Sequence, residues 1–355
     1  MKRSVTLRQV AEHARVSAST ASLVLNGKGD ISEATRQRVM RAVSEMNYVP
    51  RAGRARPEAG NTISFLKIAK HGHTVNRDHN HFISDYIDGM SFEATRRDYS
   101  LHVVSIEGSN LRPAFDALSN GDLSGVVVLG TELAQEDVQS FQREGLPMVF
   151  IDTFFPQLDA NFVDMDNAQS IHQAIEHLKD RGLTRIGLVG SYSAVTNFSL
   201  RQQAFSSGLA ALGLSARSDA ILSVDSTLDG AYQDGLRLLK QGAAVAEAYC
   251  CVNDIVALGF MRALKECGYR VPEDVSLIGF DNLPMSAIVD PPLTTIEVPK
   301  QRIGAMAIRL LDDLIVAEAP QPAVKALVSG RLVLRDSVAE SVSAGSRVRR
   351  AAGVS

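Results

Sequence analysis

Cysteine is scarce, 3 in 355 residues, and what there is does not sit where disulfide or zinc chemistry needs it. Cys250 and Cys251 adjoin in the apolar run AYCCV and Cys267 stands alone, a spacing that reads as buried strand rather than as a metal site. No run of about 18 apolar residues occurs, so no segment is long enough to span a membrane as a helix. The opening MKRSVTLRQVAEHA lacks both an apolar stretch and a small-residue cleavage site, which excludes a secretory signal and points to the cytoplasm. There is no GxSxG, no phosphate-cradling glycine loop and no recognisable nucleophile–base pair, so neither an enzyme nor a cofactor is expected.

What is present is unevenly placed. Net charge is −3, yet residues 1–60 carry 11 Lys and Arg against 5 Asp and Glu, which leaves the remainder at −9. A small basic head on a larger acidic body is the footprint of a nucleic-acid module joined to something else. The 45% hydrophobic content is enough for two or three globular domains.

In the head, Thr6 and Gln9 have capping-box spacing, and Leu7, Val10, Ala11 and Ala14 then share one helical face. Ser17 can cap a second helix closed by Asn26-Gly27. Ser32 can cap a third whose stripe is Ala34, Val39, Ala42, Val43 and Met46. Two short helices across a tight turn, followed by a third, make a helix-turn-helix, whose second helix enters the major groove. Ala18, Ser19, Ser22 and Leu23 are the expected base readers. Thr6, Ser17, Thr20 and Asn26 are the expected backbone contacts.

The run VTLRQVAEHARVSASTASLVLNGKGDISEATRQRVMRAVSEMNYVP resembles the DNA-binding head of the lactose-repressor (LacI) family, and the resemblance continues over nearly the whole chain. It implies a hinge helix after Tyr-Val-Pro that presses leucines into the minor groove. This chain reads RAGRARPEAG there instead: Gly53 costs about 1 kcal/mol in a helix interior and Pro57 removes a backbone bond. Arg51, Arg54 and Arg56 are then the expected linker contacts, to phosphates or a narrow minor groove.

Beyond the linker, short apolar runs (TISFLKI, LHVVSI, GVVVLG, PMVFID, RIGLVG, AYCCV, VSLIGF) alternate with amphipathic segments, a βαβ rhythm too long for one open sheet. The expected fold is α/β: an all-α helix-turn-helix head over 1–50, a linker over 51–61, two parallel-sheet subdomains over 62–336, and a disordered tail over 337–355. Polar residues close several strands, namely Asp152, Asn253 with Asp254, and Asp281 with Asn282, while Arg201 follows RIGLVG. A carboxylate, an amide and a guanidinium at strand ends suit a hydroxyl-rich ligand. The resemblance implies a periplasmic-binding-protein-like core in which Asp152, Arg201, Asn253 and Asp281 contact the effector and Asp254 orders its own turn. It also implies an aromatic stacking partner near Ser226, for which Phe154 or Phe155 would substitute, and a homodimer, the tail having no leucine heptad.

One motif stays open. HGHTVNRDHNH, residues 71–81, holds four of the eight histidines and lies directly after the first body strand, where the resemblance implies an insertion at the mouth of the effector cleft. It can supply effector contacts from His73, Asn76, Arg77, Asp78 and His79; it can be a solvated or dimer-interface loop; or its histidines can bind a metal, against which two i, i+2 pairs on a loop argue. The sequence therefore reads as a regulator that binds double-stranded operator DNA, most simply a repressor of carbohydrate-utilisation genes released by a sugar or sugar derivative. The alternative is a corepressor-type regulator answering a purine or other non-sugar metabolite. No metal is expected.

Overall fold

The computed structural model describes residues 7–17, 20, 21, 24, 31–46, 61–119, 122–215 and 218–340, which fall in two compact units divided between Glu58 and Ala59. In the first unit, α1 (Leu7–His13) and α2 (Glu33–Glu45) enclose a small core with Thr20, Ala21 and Val24, which are also helical. Val10, Ala11, Ala14, Ala21, Val24, Val39 and Ala42 are buried in it, as the periodicity requires, whereas Ala34 is exposed at the start of α2 and takes no part. Ser17 caps the second helix through a 3.0 Å bond from the Thr20 amide, and the Thr35 amide donates to Ser32 Oγ at 3.4 Å. His13 Nε2 lies 2.9 Å from Glu45 Oε2 and ties α1 to the end of α2.

The second unit is built on two six-stranded sheets. The first holds β1 (Thr62–Ala69), β2 (Ser100–Glu107), β3 (Leu123–Leu129), β4 (Met148–Ile151), β5 (Phe162–Met165) and β11 (Lys325–Val328), in the order β11-β5-β4-β3-β1-β2. The second holds β6 (Ile186–Ser191), β7 (Ile221–Val224), β8 (Ala248–Cys251), β9 (Ser276–Phe280), β10 (Thr294–Glu297) and β12 (Arg331–Val333), ordered β12-β10-β9-β8-β6-β7. All pairings are parallel except β10 with β12. Helices cover both faces, which is why β3, β4, β8 and β9 are nearly continuous apolar runs buried along their length. The chain passes between the sheets after β5, after β10 and again after β11.

The helix α3 (Asn80–Arg96) and the late helix Lys300–Ile315 pack closely against each other. A Cβ on Gly89 would lie 2.0 Å from the Gln301 carbonyl oxygen and one on Gly304 2.3 Å from that of Tyr86, so both positions need glycine. Beside this contact Glu93 accepts from Arg97 Nε at 2.9 Å and from Arg309 at 3.0 Å, and Tyr99 donates to Asp312 at 2.9 Å.

The seven expected strands are present. Five short ones (β5, β7, β10, β11, β12) join them, and the body runs past residue 336. Ser337 Oγ donates to the Leu277 carbonyl at 2.6 Å, Val338 is buried, and the Ala339 amide donates to Ser276 Oγ at 3.1 Å, so residues 337–340 belong to the second sheet's surround rather than to a tail. Residues 341–355 and the linker residues 51–60 lie outside the described residues. No helix among the described residues is long and apolar enough to cross a membrane.

Candidate functional site

Of the residues expected to meet DNA, Ser17 and Thr20 are described: their hydroxyls lie 2.8 Å apart at the start of the second helix, Ser17 exposed and Thr20 half-buried. Thr6, Ala18, Ser19, Ser22, Leu23, Asn26, Arg51, Arg54 and Arg56 lie outside the described residues.

In the larger unit, strand C-termini bring side chains together from both sheets. Asp152 follows β4 and Asp281 follows β9; both hold left-handed backbone, φ 56° and 111°, a conformation that costs an L-residue energy and turns each carboxylate back over the strand ends. Asn253 caps the helix Asp254–Glu266 just after β8, and Arg201 lies on the helix Thr196–Ala211 that follows β6. With Thr74, Thr131, His79, Asn197, Phe82 and Phe198 they line a cavity of about 30 Å³, room for a water or two.

Hydrogen bonds fix most of these groups. Asp152 accepts from Tyr86 OH at 3.3 Å and Asn197 Nδ2 at 3.2 Å, and also from Thr131 Oγ1. Burial raises its pKa and these donors oppose the rise. Arg201 donates from Nε to Asn167 at 2.9 Å, from Nη1 to the Val252 carbonyl and from Nη2 to Met165 Sδ at 2.9 Å, with its guanidinium 3.7 Å above the Phe280 ring. Asp254 accepts from the Leu283 amide, Ser286 and Thr295, so it ties the segment after β9 to β10, a longer-range role than the expected ordering of its own turn.

The 71–81 loop has a definite construction. Glu132, just beyond β3, accepts four backbone N–H bonds: from His71 and Gly72 on Oε2 (2.8 and 2.9 Å) and from Thr74 and Val75 on Oε1 (2.9 and 2.8 Å). Burial alone would raise its pKa, but the four donors hold it below the usual glutamate value. From this anchor on the first subdomain the loop reaches the second. His71 Nε2 lies 3.3 Å from the Ala194 carbonyl, His73 Nδ1 lies 3.3 Å from Asp225, and Ser226 Oγ donates to the His73 carbonyl at 3.1 Å.

His79 alone of the four histidines enters the cavity, and its proton can be placed. Asn253 Oδ1 accepts from the Val256 amide, so Nδ2 faces His79 Nε2 at 3.1 Å and makes Nε2 an acceptor. Asn76 Oδ1 accepts from the Asp78 amide and Nδ2 donates to the His73 carbonyl; the 3.4 Å contact from His79 Nδ1 therefore reaches an acceptor. The imidazole is neutral, protonated on Nδ1, and burial pushes its pKa down to about 4. His73 faces Asp225, Asn76 supports His79, and Arg77, Asp78 and His81 do not line the cavity. Among the described residues no group of three or more His, Cys, Asp or Glu is arranged to hold a metal ion.

Phe154 is a correction: its ring packs on Phe162, centroids 5.8 Å apart, and lines a separate groove with Leu200 and Leu327, while Phe155 also packs on Phe162, centroids 6.2 Å apart. The left-handed turn at Asp152 sends the chain away from the cavity before either ring is reached. The aromatic faces inside are Phe82 and Phe198.

Comparison with known proteins agrees with this architecture. Residues 6–51 match the bacterial regulatory proteins of the lacI family, and residues 175–338 match the periplasmic binding protein-like domain. Over 310 residues the chain is 31% identical to the HTH-type transcriptional repressor PurR of Aliivibrio salmonicida (strain LFI1238), an alignment spanning 86% of this chain and 91% of that protein. The chain belongs to the LacI family. Its structure is similar to that of the Lac repressor dimer bound to operator and the anti-inducer ONPF (TM-score 0.70, 26% identity, 95% of this chain and 100% of the other). It is similar also to the complex of the transcriptional regulator CelR with cellobiose (TM-score 0.67, 25% identity, 94% and 99%). It is a DNA-binding transcriptional repressor of the LacI family and not an enzyme.

Several residues of this LacI-family site escaped sequence reading. Thr131 and Glu132 follow the GVVVLG strand and carried the same strand-end signal as Asp152. Tyr86 lies on an amphipathic helix and Asn197 on one without a marked apolar face, with nothing to separate either from core or surface, and Asp164 lies in β5, whose short FVDM run shows no strand period.

Proposed function

We propose that this repressor governs carbohydrate-utilisation genes and leaves its operator when a sugar or sugar derivative binds between the subdomains, which part to admit it because the cavity as it stands has room for a water or two. The observation that carries the reading is the lining itself: Asp152, Asp281, Asn253, Arg201 and Thr131 offer acceptors and donors to hydroxyls, and Phe82 and Phe198 offer apolar faces to ring carbons. The structural likeness to the cellobiose complex of CelR supports it. His79 joins Asp152, Arg201, Asn253 and Asp281 as an effector contact, with Asn76 acting through His79. His73, Arg77, Asp78 and Phe154 do not line the cavity and are not among its contacts in this reading.

In the same reading the protein is a cytoplasmic homodimer. The head, residues 1–50, meets the two half-sites of a near-palindromic operator through Thr6, Ser17, Ala18, Ser19, Thr20, Ser22, Leu23 and Asn26, and Arg51, Arg54 and Arg56 of the 51–61 linker meet phosphates or the minor groove. Effector binding shifts the body between two conformations of unequal DNA affinity.

The test is to select an operator from randomised duplexes with the full-length chain, then titrate the complex with a panel of sugars, purine bases and nucleosides. Release by sugars, and loss of binding on deleting residues 1–50, is the expected result. DNA binding strengthened by a purine and untouched by every sugar would replace this reading with a corepressor of non-sugar type, which the rings of Phe82 and Phe198 would also suit.

A further inference from the structure

The cavity holds more acid than base. Asp152, Asp164 and Asp281 are all buried there or against it, and Asn197 Nδ2 bridges two of them, 3.2 Å from Asp152 Oδ1 and 3.4 Å from Asp164 Oδ1. Two cations stand near, and the hydrogen bonds they make go elsewhere. Arg201 gives its hydrogens to Asn167, Val252 and Met165 and remains 3.8 Å from Asp281 Oδ1. Lys300 Nζ donates to the backbone carbonyl of Asp281 at 2.8 Å and lies 3.6 Å from Asp85. Among the described residues no lysine or arginine hydrogen-bonds to any of the three carboxylates. Asp281 Oδ1, Asp164 Oδ2 and Thr74 Oγ1 are buried without a hydrogen-bond partner; Asp281 is 4% exposed, Thr74 is 6% exposed, and both line the cavity.

A buried acceptor without a donor is costly and marks a place where something else donates. A neutral hydroxyl would satisfy one oxygen but bring no charge against which a buried acid could ionise. A group with several hydrogens and a positive charge answers both. We propose that the effector is an amino-bearing carbohydrate whose ammonium sits against Asp281 and Thr74. The proposal rests on the carbohydrate reading above and names its chemical class.

The titrating groups around Asp281 agree with it. Burial, with Asp254 and Asp152 adding to it and Arg201 and Lys300 opposing, lifts Asp281 to about 8; burial and Asp152 lift Asp164 to about 8. Both carboxyls are largely protonated at neutral pH. His79 and Tyr86, which face the same space, are shifted down and up respectively and do not titrate between pH 6 and 9. An arriving ammonium stabilises the Asp281 carboxylate and expels its proton, so binding is linked to proton release.

The experiment is calorimetry on the full-length chain with glucosamine, galactosamine, their N-acetyl derivatives, the parent hexoses and adenosine. Each is titrated at pH 6, 7 and 8 in two buffers of different ionisation enthalpy. The free amines are expected to bind on the order of tenfold tighter than their acetylated and nitrogen-free counterparts, as a charge-assisted contact implies, with proton release near pH 7. Asp281→Asn abolishes both the preference and the release. Thr74→Val, which removes a hydroxyl that has no protein partner, weakens the amines severalfold without lowering the melting temperature. Hexoses bound as tightly as the amines, amine binding without proton exchange, or no binding of either amine overturns the assignment. Adenosine bound in place of every sugar overturns the carbohydrate reading beneath it.

Discussion

Glu132→Gln tests whether one carboxylate builds the loop. The substitution keeps shape and burial but turns one acceptor oxygen into an NH₂ group. Whichever oxygen is replaced, two of the four backbone amides (71 with 72, or 74 with 75) lose their acceptor and meet a donor. An unsatisfied buried donor costs about 1–3 kcal/mol, so the loop loses about 2–6 kcal/mol of local stability. Taking about 3 kcal/mol, hydrogen exchange at the amides of His71, Gly72, Thr74 and Val75 accelerates roughly 150-fold. The melting temperature moves less, because a loop can open while the sheets stay folded. Exchange at all four amides within threefold of wild type would refute the reasoning. Acid gives the same result by another route. Because the Glu132 pKa is held below its ordinary value, its contribution is complete above pH 4.5 and is lost as pH falls through the lowered value.

His79→Ala deprives the Asn253 amide of its acceptor and should destabilise the body by about 1–3 kcal/mol at pH 7. Since burial lowers the histidine from 6.5 to about 4, wild-type stability should fall relative to the variant as pH drops from 6.5 towards 4, by up to about 3 kcal/mol. Urea unfolding at pH 7.5, 6 and 4.5 checks this, and parallel profiles would disprove it. Gly89→Ala places a Cβ into the Gln301 carbonyl and should cost more than about 3 kcal/mol or prevent accumulation of folded protein; a melting temperature within 2 °C of wild type would show that the two helices can separate cheaply. Ser17→Ala removes the cap of the second helix and should cost the head about 1 kcal/mol, read as a lower first melting transition with the second unchanged.

The two sheets were legible because parallel strands covered on both faces are written as unbroken apolar runs, and β3, β4, β8 and β9 are such runs. The strands that escaped are short or flanked by polar residues. FVDM carries a buried aspartate and KALV is exposed at the sheet edge, so neither shows a strand period. At the site, Asp152, Asn253 and Asp281 line one cavity because a residue at a strand C-terminus has few directions in which to point, and Arg201 reaches it from the helix after β6. Phe154 did not follow, since its direction depends on the φ of Asp152, a torsion that no local pattern announces. The loop shows both sides. Its position after β1 put it at the cleft, but only Glu132, some sixty residues on, decides which of its side chains turns inward.

That inward residue has a consequence for timing. Asn253 Nδ2 carries two hydrogens, and His79 already takes one of them. A ligand that displaces His79 from Asn253 trades one hydrogen bond for another, so little of its affinity arises there, and discrimination falls to groups with no prior partner, Asp281 and Thr74. Since His79 belongs to a loop held to both subdomains, entry waits on that loop. Observed binding rates should therefore level off at high ligand concentration, at a ceiling set by the protein and common to every effector that fits.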